Sequence, residues 1–273
     1  MLPPTLSGRT RLVPILAHPV DHVRAPRTYN PAFAAAGLDW CMVAMGVHPD
    51  DLAATLAQLA RVSNLQGVNL TIPHKAQAHA LCRWLAPEAK RTGAVNTLRL
   101  EPDGSWAGES SDGVGFVSAA RANGLLDVSR PVVIVGSGGA GSAIAFSLAG
   151  AGVPVIDVLD TDTARAEALR DALRRQFPTL DVGTRRDGLR HAGLAVNATP
   201  MGLQADHPLP FDPALLPGDA ALFDIIAARD TELMAACQAR GLHVLGGRAM
   251  VEHQVAYQLS FWRGDHFHLE RHA

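Results

Sequence analysis

The stretch that most constrains this chain is Val132-Val133-Ile134-Val135-Gly136-Ser137-Gly138-Gly139-Ala140-Gly141, where a β-branched run leads straight into G-x-G-x-x-G. The apolar segment Pro131–Val135 has no polar face, so it suits a strand covered on both sides of a parallel sheet. Gly136 permits the tight turn out of that strand, Gly138 lets backbone approach a pyrophosphate, and Gly141 lets the next helix pack closely. The helix N-terminus then offers unpaired N–H groups and a positive dipole end to an anion. Dinucleotide binding is the expected consequence, with Gly136, Ser137, Gly138, Gly139 and Ala140 as the candidate loop.

From this turn onward strands and helices alternate. Helix Ala140–Ala149, strand Val155–Leu159, helix Ala164–Phe177, strands Leu194–Val196 and Ala220–Ile226, helix Glu232–Arg240 and strand His243–Leu245 follow. Repeated β-α order with right-handed crossovers gives an open, doubly wound sheet. Upstream, Leu12–Leu16, Trp40–Ala44 and Gly67–Ile72 read as strands, Asp51–Ala60 and Lys75–Leu85 as helices, predicting a second unit with a mostly parallel sheet. Asp112-Gly113 and Gly115 precede a new helix and mark a boundary near residues 112–116; Met250–Trp262 reads as a last helix. The expected fold class is α/β: an N-terminal α/β unit over 1–112, completed by 248–273, and a Rossmann-type doubly wound unit over 113–247. A length of 273 residues has room for both.

Composition narrows the function classes. Charged residues are 18% of the chain, the formal net charge is -2 and aromatics are 5%, which offers neither a basic field nor a stacking platform for nucleic acid. No apolar run of about 18 residues spans a bilayer. Cys41, Cys82 and Cys237 form no C-x-x-C pair, so no metal site or disulfide framework is expected and free thiols are. With no basic-apolar leader in view, the expectation is a soluble cytoplasmic protein, monomer or homodimer, acting on a small molecule. His266, His268 and His272 read as a solvated tail, and His74 as a surface residue.

Cofactor choice is read at the end of Val155–Leu159, where Asp160-Thr161-Asp162 follows. An acid there accepts hydrogen bonds from ribose hydroxyls and repels a 2′-phosphate, and the nearest arginine, Arg165, stands a helical turn further on. The other reading of Asp162 is an N-cap before Ala164. NAD is therefore expected in preference to NADP.

Polar residues recur where packing alone needs none: Asn69–Lys75 (N-L-T-I-P-H-K), Gly93–Thr97 (G-A-V-N-T), Ser111–Gly113 (S-D-G), Asn197–Thr199 (N-A-T) and Gly247–Gln254 (G-R-A-M-V-E-H-Q). In order and spacing, together with the Gly136–Ala140 loop, these resemble the shikimate/quinate dehydrogenase family along nearly the whole chain. The resemblance implies a substrate cleft between the two units, with Lys75 and Asp112 as the catalytic pair at the reacting hydroxyl. It implies ring-hydroxyl binding by Asn69, Thr71, Asn96 and Gln254, and cofactor contacts from Thr199, Ile225 and Gly247 besides the glycine loop, Asp160 and Thr161. NADP-using members tend to carry N-R-T where this chain has Asp160-Thr161-Asp162, which again points to NAD.

Two departures accompany the match. The family's S-x-S-P segment, whose serines bind the substrate carboxylate, aligns with Val23-Arg24-Ala25-Pro26, so both hydroxyl donors are missing. Each lost donor to a charged group costs about 1.5–3 kcal/mol, which argues against shikimate itself and leaves two outcomes: Arg24 or Arg27 takes the carboxylate, or the substrate carries none there. Ala227 stands where the family often has a tyrosine. The expected activity is NAD-dependent hydride transfer at a secondary alcohol of a small hydroxylated ring acid; the alternative is a catalytically idle NAD(H)-binding regulator.

Overall fold

The computed structural model describes residues 6–265 and 269–272. Contacts divide the chain into Met1–Ser111 with Gln254–Ala273, and Asp112–His253.

The first unit begins with β1 (Arg11–Ala17), α1 (Pro26–Ala35), β2 (Trp40–Gly46), α2 (Leu52–Leu59), β3 (Val68–Leu70) and α3 (Lys75–Leu81). It continues with β4 (Trp84–Leu85), α4 (Pro87–Thr92), β5 (Thr97–Leu100) and β6 (Trp106–Glu109). β1 pairs in parallel with both β2 and β3, and β4 with β6. The β3–β5 and β5–β6 pairs are antiparallel. The sheet is therefore mixed, not mostly parallel as the alternation suggested. The cause is local: in Glu101-Pro102-Asp103-Gly104-Ser105 the Gly104 N–H donates to the Glu101 carbonyl at 2.9 Å and the Ser105 N–H to Asp103 Oδ1 at 3.0 Å. That turn closes β5 and β6 into a hairpin, and a hairpin is antiparallel by construction.

The predicted helix Lys75–Leu85 also divides. α3 stops at Leu81, Cys82 turns extended with ψ of 136°, and Trp84–Leu85 joins the sheet. Arg83 N–H and Ala86 N–H donate to the Trp106 and Gly108 carbonyls, both at 2.9 Å, so the ladder with β6 replaces helical bonds. The apolar period that suggested one helix serves the same core from a strand: Leu85, like Leu16, Leu52, Leu70 and Leu98, is buried.

In the second unit, α5 (Asp112–Ala122) precedes β7 (Val132–Val135), α6 (Gly139–Gly150), β8 (Val155–Leu159), α7 (Thr163–Gln176) and β9 (Asp181–Gly183). Then come β10 (Leu194–Asn197), β11 (Ala221–Asp224), α8 (Glu232–Ala239), β12 (His243–Gly246) and α9 (Gly247–Arg263), after which β13 (Glu270–Arg271) pairs antiparallel with β4 of the first unit's sheet. The second sheet runs β12-β11-β10-β7-β8-β9, parallel throughout. The order reverses between β7 and β10, the switch point at whose strand ends ligands bind in such sheets.

Two boundaries differ from the sequence reading. α5 starts at Asp112 itself, with Gly113 and Gly115 inside it rather than ahead of it. A Cβ at Gly113 would overlap Ser147 Oγ and the Ala143 carbonyl, so this glycine serves the close crossing of α5 on α6, not a turn. α9 starts at Gly247 rather than Met250, and the division into units falls inside it, after His253.

Candidate active site

The glycine turn lies at the C-terminal end of β7. Gly136 has φ of 102°, which L side chains rarely adopt, and a Cβ there would stand 2.8 Å from the Ala198 carbonyl. At Gly141 a Cβ would overlap the Gly136 carbonyl oxygen. Gly138, the N-cap residue of α6, is different: a Cβ there meets nothing within 4 Å. Two glycines thus close the turn against protein, while the middle one borders open space at the α6 N-terminus. Those residues fit the pyrophosphate of a dinucleotide.

Asp160 follows β8 and reaches back to this turn. Its Oδ2 accepts from the Ser137 N–H at 2.7 Å and from Ser137 Oγ at 2.6 Å, and its Oδ1 from the Asp162 N–H at 2.9 Å. Partial burial pushes its pKa up, but the Ser137 bonds, with the Asp162 N–H and the Arg165 charge, outweigh that and hold the carboxyl below its ordinary value. The group is therefore an anion beside the loop. Thr161 is exposed, with Oγ1 3.4 Å from Asp160 Oδ1. Asp162 caps α7, accepting from the Arg165 N–H at 3.1 Å, and its carboxylate lies 3.6 Å from the exposed Arg165 guanidinium.

Across the switch point, Asn197 and Asp224 end β10 and β11 with their side chains fully buried. Asn197 Oδ1 accepts from Thr199 Oγ1 at 2.7 Å, and its Nδ2 donates to Asp224 Oδ1 at 3.1 Å. Asp224 also accepts from the Ile226 N–H and Thr231 Oγ1; burial still leaves its pKa raised. This network sets the backbone of Thr199, and the Ile225 N–H donates to the Asn197 carbonyl at 3.1 Å. A Cβ at Gly247 would overlap the Ile225 carbonyl, so Gly247 packs directly on that segment. A cavity of about 190 Å³ opens here, lined in part by Ile226, Ala227, Leu245 and Gly247. The second unit thus gathers Thr199, Ile225 and Gly247 at neighbouring strand ends.

In the first unit Asn69 and Asn96 lie side by side, the Leu70 N–H at the end of β3 donating to the Asn96 carbonyl at 2.8 Å. Asn69 lies on β3 and Asn96 just before β5, 6% and 3% exposed. Asn69 Nδ2 donates to Gln258 Oε1 at 2.7 Å. Asn96 Oδ1 accepts from the Ser111 N–H at 3.0 Å, Ser111 Oγ at 3.1 Å and Thr97 Oγ1 at 2.8 Å. Thr71 donates its N–H to the Leu16 carbonyl, and Lys75, half-buried, opens α3 while its carbonyl accepts the Val95 N–H at 2.9 Å. Gln254, 7% exposed, sits one helical turn before Gln258 on α9. Asp112, 4% exposed, is the first residue of α5, directly after Ser111 in the chain.

Val23 and Ala25 are half-buried, and α1 carries no side-chain cap at Ala25. Arg24 is exposed, its Nη1 donating to the Asp21 and Val23 carbonyls at 2.6 and 3.2 Å.

Sequence reasoning misjudged or missed four residues. His74 is not on the surface but fully buried; burial lowers its pKa, against the Val47 and Ala17 carbonyls. His272 packs edge-on to His79 with centroids 4.8 Å apart rather than standing in solvent, while His266 and His268 lie outside the described residues. Tyr29 and Gln258 were passed over, although Gln254 and Gln258 at i, i+4 put two amides on one helix face, which was a legible signal.

A family model for the shikimate dehydrogenase substrate binding domain matches residues 15–98. The chain is 37% identical over 262 residues to a protein named shikimate dehydrogenase (NADP(+)) from Acidiphilium cryptum, covering 95% of this chain and 92% of that one. Among solved structures, shikimate 5-dehydrogenase from Thermus thermophilus in complex with NADP(H) and shikimate matches with a TM-score of 0.83 and 33% identity, covering 93% of this chain and 94% of that one. Quinate dehydrogenase from Corynebacterium glutamicum in complex with NAD matches with a TM-score of 0.81 and 28% identity, covering 95% of each.

Proposed function

Because this chain belongs to the shikimate dehydrogenase family, and is as such a dehydrogenase acting on a CH–OH group, we propose that it interconverts a secondary alcohol and a ketone on a small hydroxylated ring acid of the shikimate/quinate kind, with NAD preferred over NADP. The observation that carries the reading is the joint presence of an open dinucleotide turn at Gly136–Gly141 and a buried set of amides around Asn69 and Asn96. Hydroxyl-rich ligands need such paired donors and acceptors, because a polar site rejects molecules that leave its groups unpaired.

Oxidising an alcohol requires removal of the hydroxyl proton as the C–H bond gives up its hydrogen and electron pair. A bound nicotinamide supplies the acceptor for that hydrogen and pair. Lys75 takes the hydroxyl proton and, in the reverse direction, donates from its ammonium to the ketone oxygen. Asp112 is its partner at that hydroxyl. Asn69, Thr71, Asn96 and Gln254 hold the ring hydroxyls.

The cofactor preference departs from the NADP(+) in the relatives' names and rests on this chain's own residues. Asp160 is held as an anion by Ser137, and no arginine stands at 160–162, so a 2′-phosphate would meet negative charge. Val23 and Ala25 provide no hydroxyl donors for a carboxylate, which disfavours shikimate and makes Arg24 the candidate carboxylate ligand.

The test is a screen of shikimate, quinate and related ring hydroxy acids and polyols with each cofactor. Turnover is expected with at least one, with NAD at least about tenfold tighter than NADP, about 1.4 kcal/mol. Lys75→Ala should cost on the order of 10²–10⁴ in kcat, the usual contribution of a positioned acid-base group, while folding and NAD affinity persist. Tight cofactor binding without turnover of any compound would instead mark an idle binder.

A further inference from the structure

Behind Asn69 and Asn96 the first unit buries a chain of hydrogen bonds whose direction can be worked out from one atom. The Ser111 backbone N–H can only donate, and it bonds Asn96 Oδ1 at 3.0 Å, so that end of the Asn96 amide is the carbonyl. Ser111 Oγ lies 3.1 Å from the same oxygen. A carbonyl brings no proton, so Ser111 must give its own. The hydroxyl then has only lone pairs for its other neighbour at 2.6 Å, which must be Gln258 Nε2. The far end of Gln258 is therefore Oε1, an acceptor, 2.8 Å from Tyr29 Oη and 2.7 Å from the Asn69 amide. Tyr29 must donate to it, and Asn69 must face it with Nδ2.

We propose that Gln258 is a positioning residue that sets the polarity of the Asn69 amide: it engages the Asn69 nitrogen and so reserves the Asn69 carbonyl oxygen for a substrate hydroxyl that donates. Among the described residues nothing donates to that oxygen. Asn96 is oriented independently of Gln258, by the Ser111 N–H on its oxygen. An acceptor fixed at Asn69 distinguishes hydroxyl orientations on a ring. Packing alone does not explain the residue: Gln258 is fully buried with Tyr29 1% exposed beside it, and a buried amide is costly unless paired at both ends. The proposal rests on the reading of Asn69 as a substrate ligand.

Gln258→Met keeps the length and removes the polarity. With quinate and shikimate as probes, it should raise the substrate KM at least about tenfold while kcat changes less than about threefold and the cofactor KM stays put. Gln258→Glu keeps an acceptor toward Tyr29 and Asn69 and should recover much of that loss. In the ligand-free protein, the labelled Asn69 side-chain amide should exchange slowly with solvent in wild type and Gln258→Glu, and rapidly in Gln258→Met. If Gln258→Met does not fold, Tyr29→Phe removes one of the two donors to Oε1 and should move the same quantities less. Unchanged substrate KM and unchanged Asn69 exchange in a folded variant would overturn the proposal, as would parallel loss of substrate and cofactor binding. Should wild type turn over neither acid, the functional reading is what fails, and the exchange measurement alone decides the role of Gln258.

Discussion

Glu109, at the end of β6, is 1% exposed, and its Oε1 accepts the Ser110 N–H at 2.7 Å. Burial pushes its pKa up to about 8; the Ser110 bond opposes this and the nearby Glu88 reinforces it. Folding therefore takes up a proton at Glu109 between its ordinary 4.5 and about 8. Because the folded-state value is the raised one, the stabilising share is complete below pH 4.5 and is lost as pH rises through about 8. The slope from one such group is at most about 1.4 kcal/mol per pH unit. Glu109→Gln should flatten the fall in urea midpoint between pH 5 and 8, and a wild-type slope retained in that variant would assign the pH dependence elsewhere. None of this was legible in the sequence, where Glu109 is one acid in a polar run. Lys75, Asn69 and Asn96 stand out as candidates because each lies in a short ordered motif, whereas Gln258 carries only its i, i+4 spacing from Gln254 and meets Ser111 and Tyr29 from far away in the chain.

At the scale of elements, the β7 turn and α6 carry the sharpest contrast. Gly141→Ala drives a methyl into the Gly136 carbonyl and should destabilise the fold by about 1–3 kcal/mol, as overpacking typically does. Gly138→Ala meets no protein atom within 4 Å, so the melting temperature should hold while dinucleotide affinity falls, since the added methyl intrudes where the phosphates approach. Thermal melts paired with cofactor titration separate the two; equal effects on stability would remove the distinction between closing and cradling glycines. The strand-turn-helix was readable because its chemistry is local. The β5–β6 hairpin carries a local Pro-Asp-Gly signal, while β4 has none: two residues, Trp84–Leu85, become a strand only because β6 offers them a ladder.

For the whole molecule, cofactor binding should appear as stability. A ligand that binds only the folded state at about 100 times its Kd adds about 2.7 kcal/mol, and one about tenfold weaker at the same concentration adds roughly half of that. NAD should therefore raise the unfolding temperature more than NADP at equal concentration, and identical shifts would count against the role given to Asp160. The sequence by itself determined the alternation of strands and helices in the second unit, the place of the glycine turn and the family motifs. All of these depend on residues close together in the chain, where steric and hydrogen-bonding preferences act directly. Only the tertiary structure decided the mixed first sheet, the burial of His74, the anionic tie of Asp160 to Ser137 and the polarity that Gln258 imposes on Asn69. Those depend on which distant groups meet away from water, where an unpaired polar atom is costly enough to dictate who donates and who accepts.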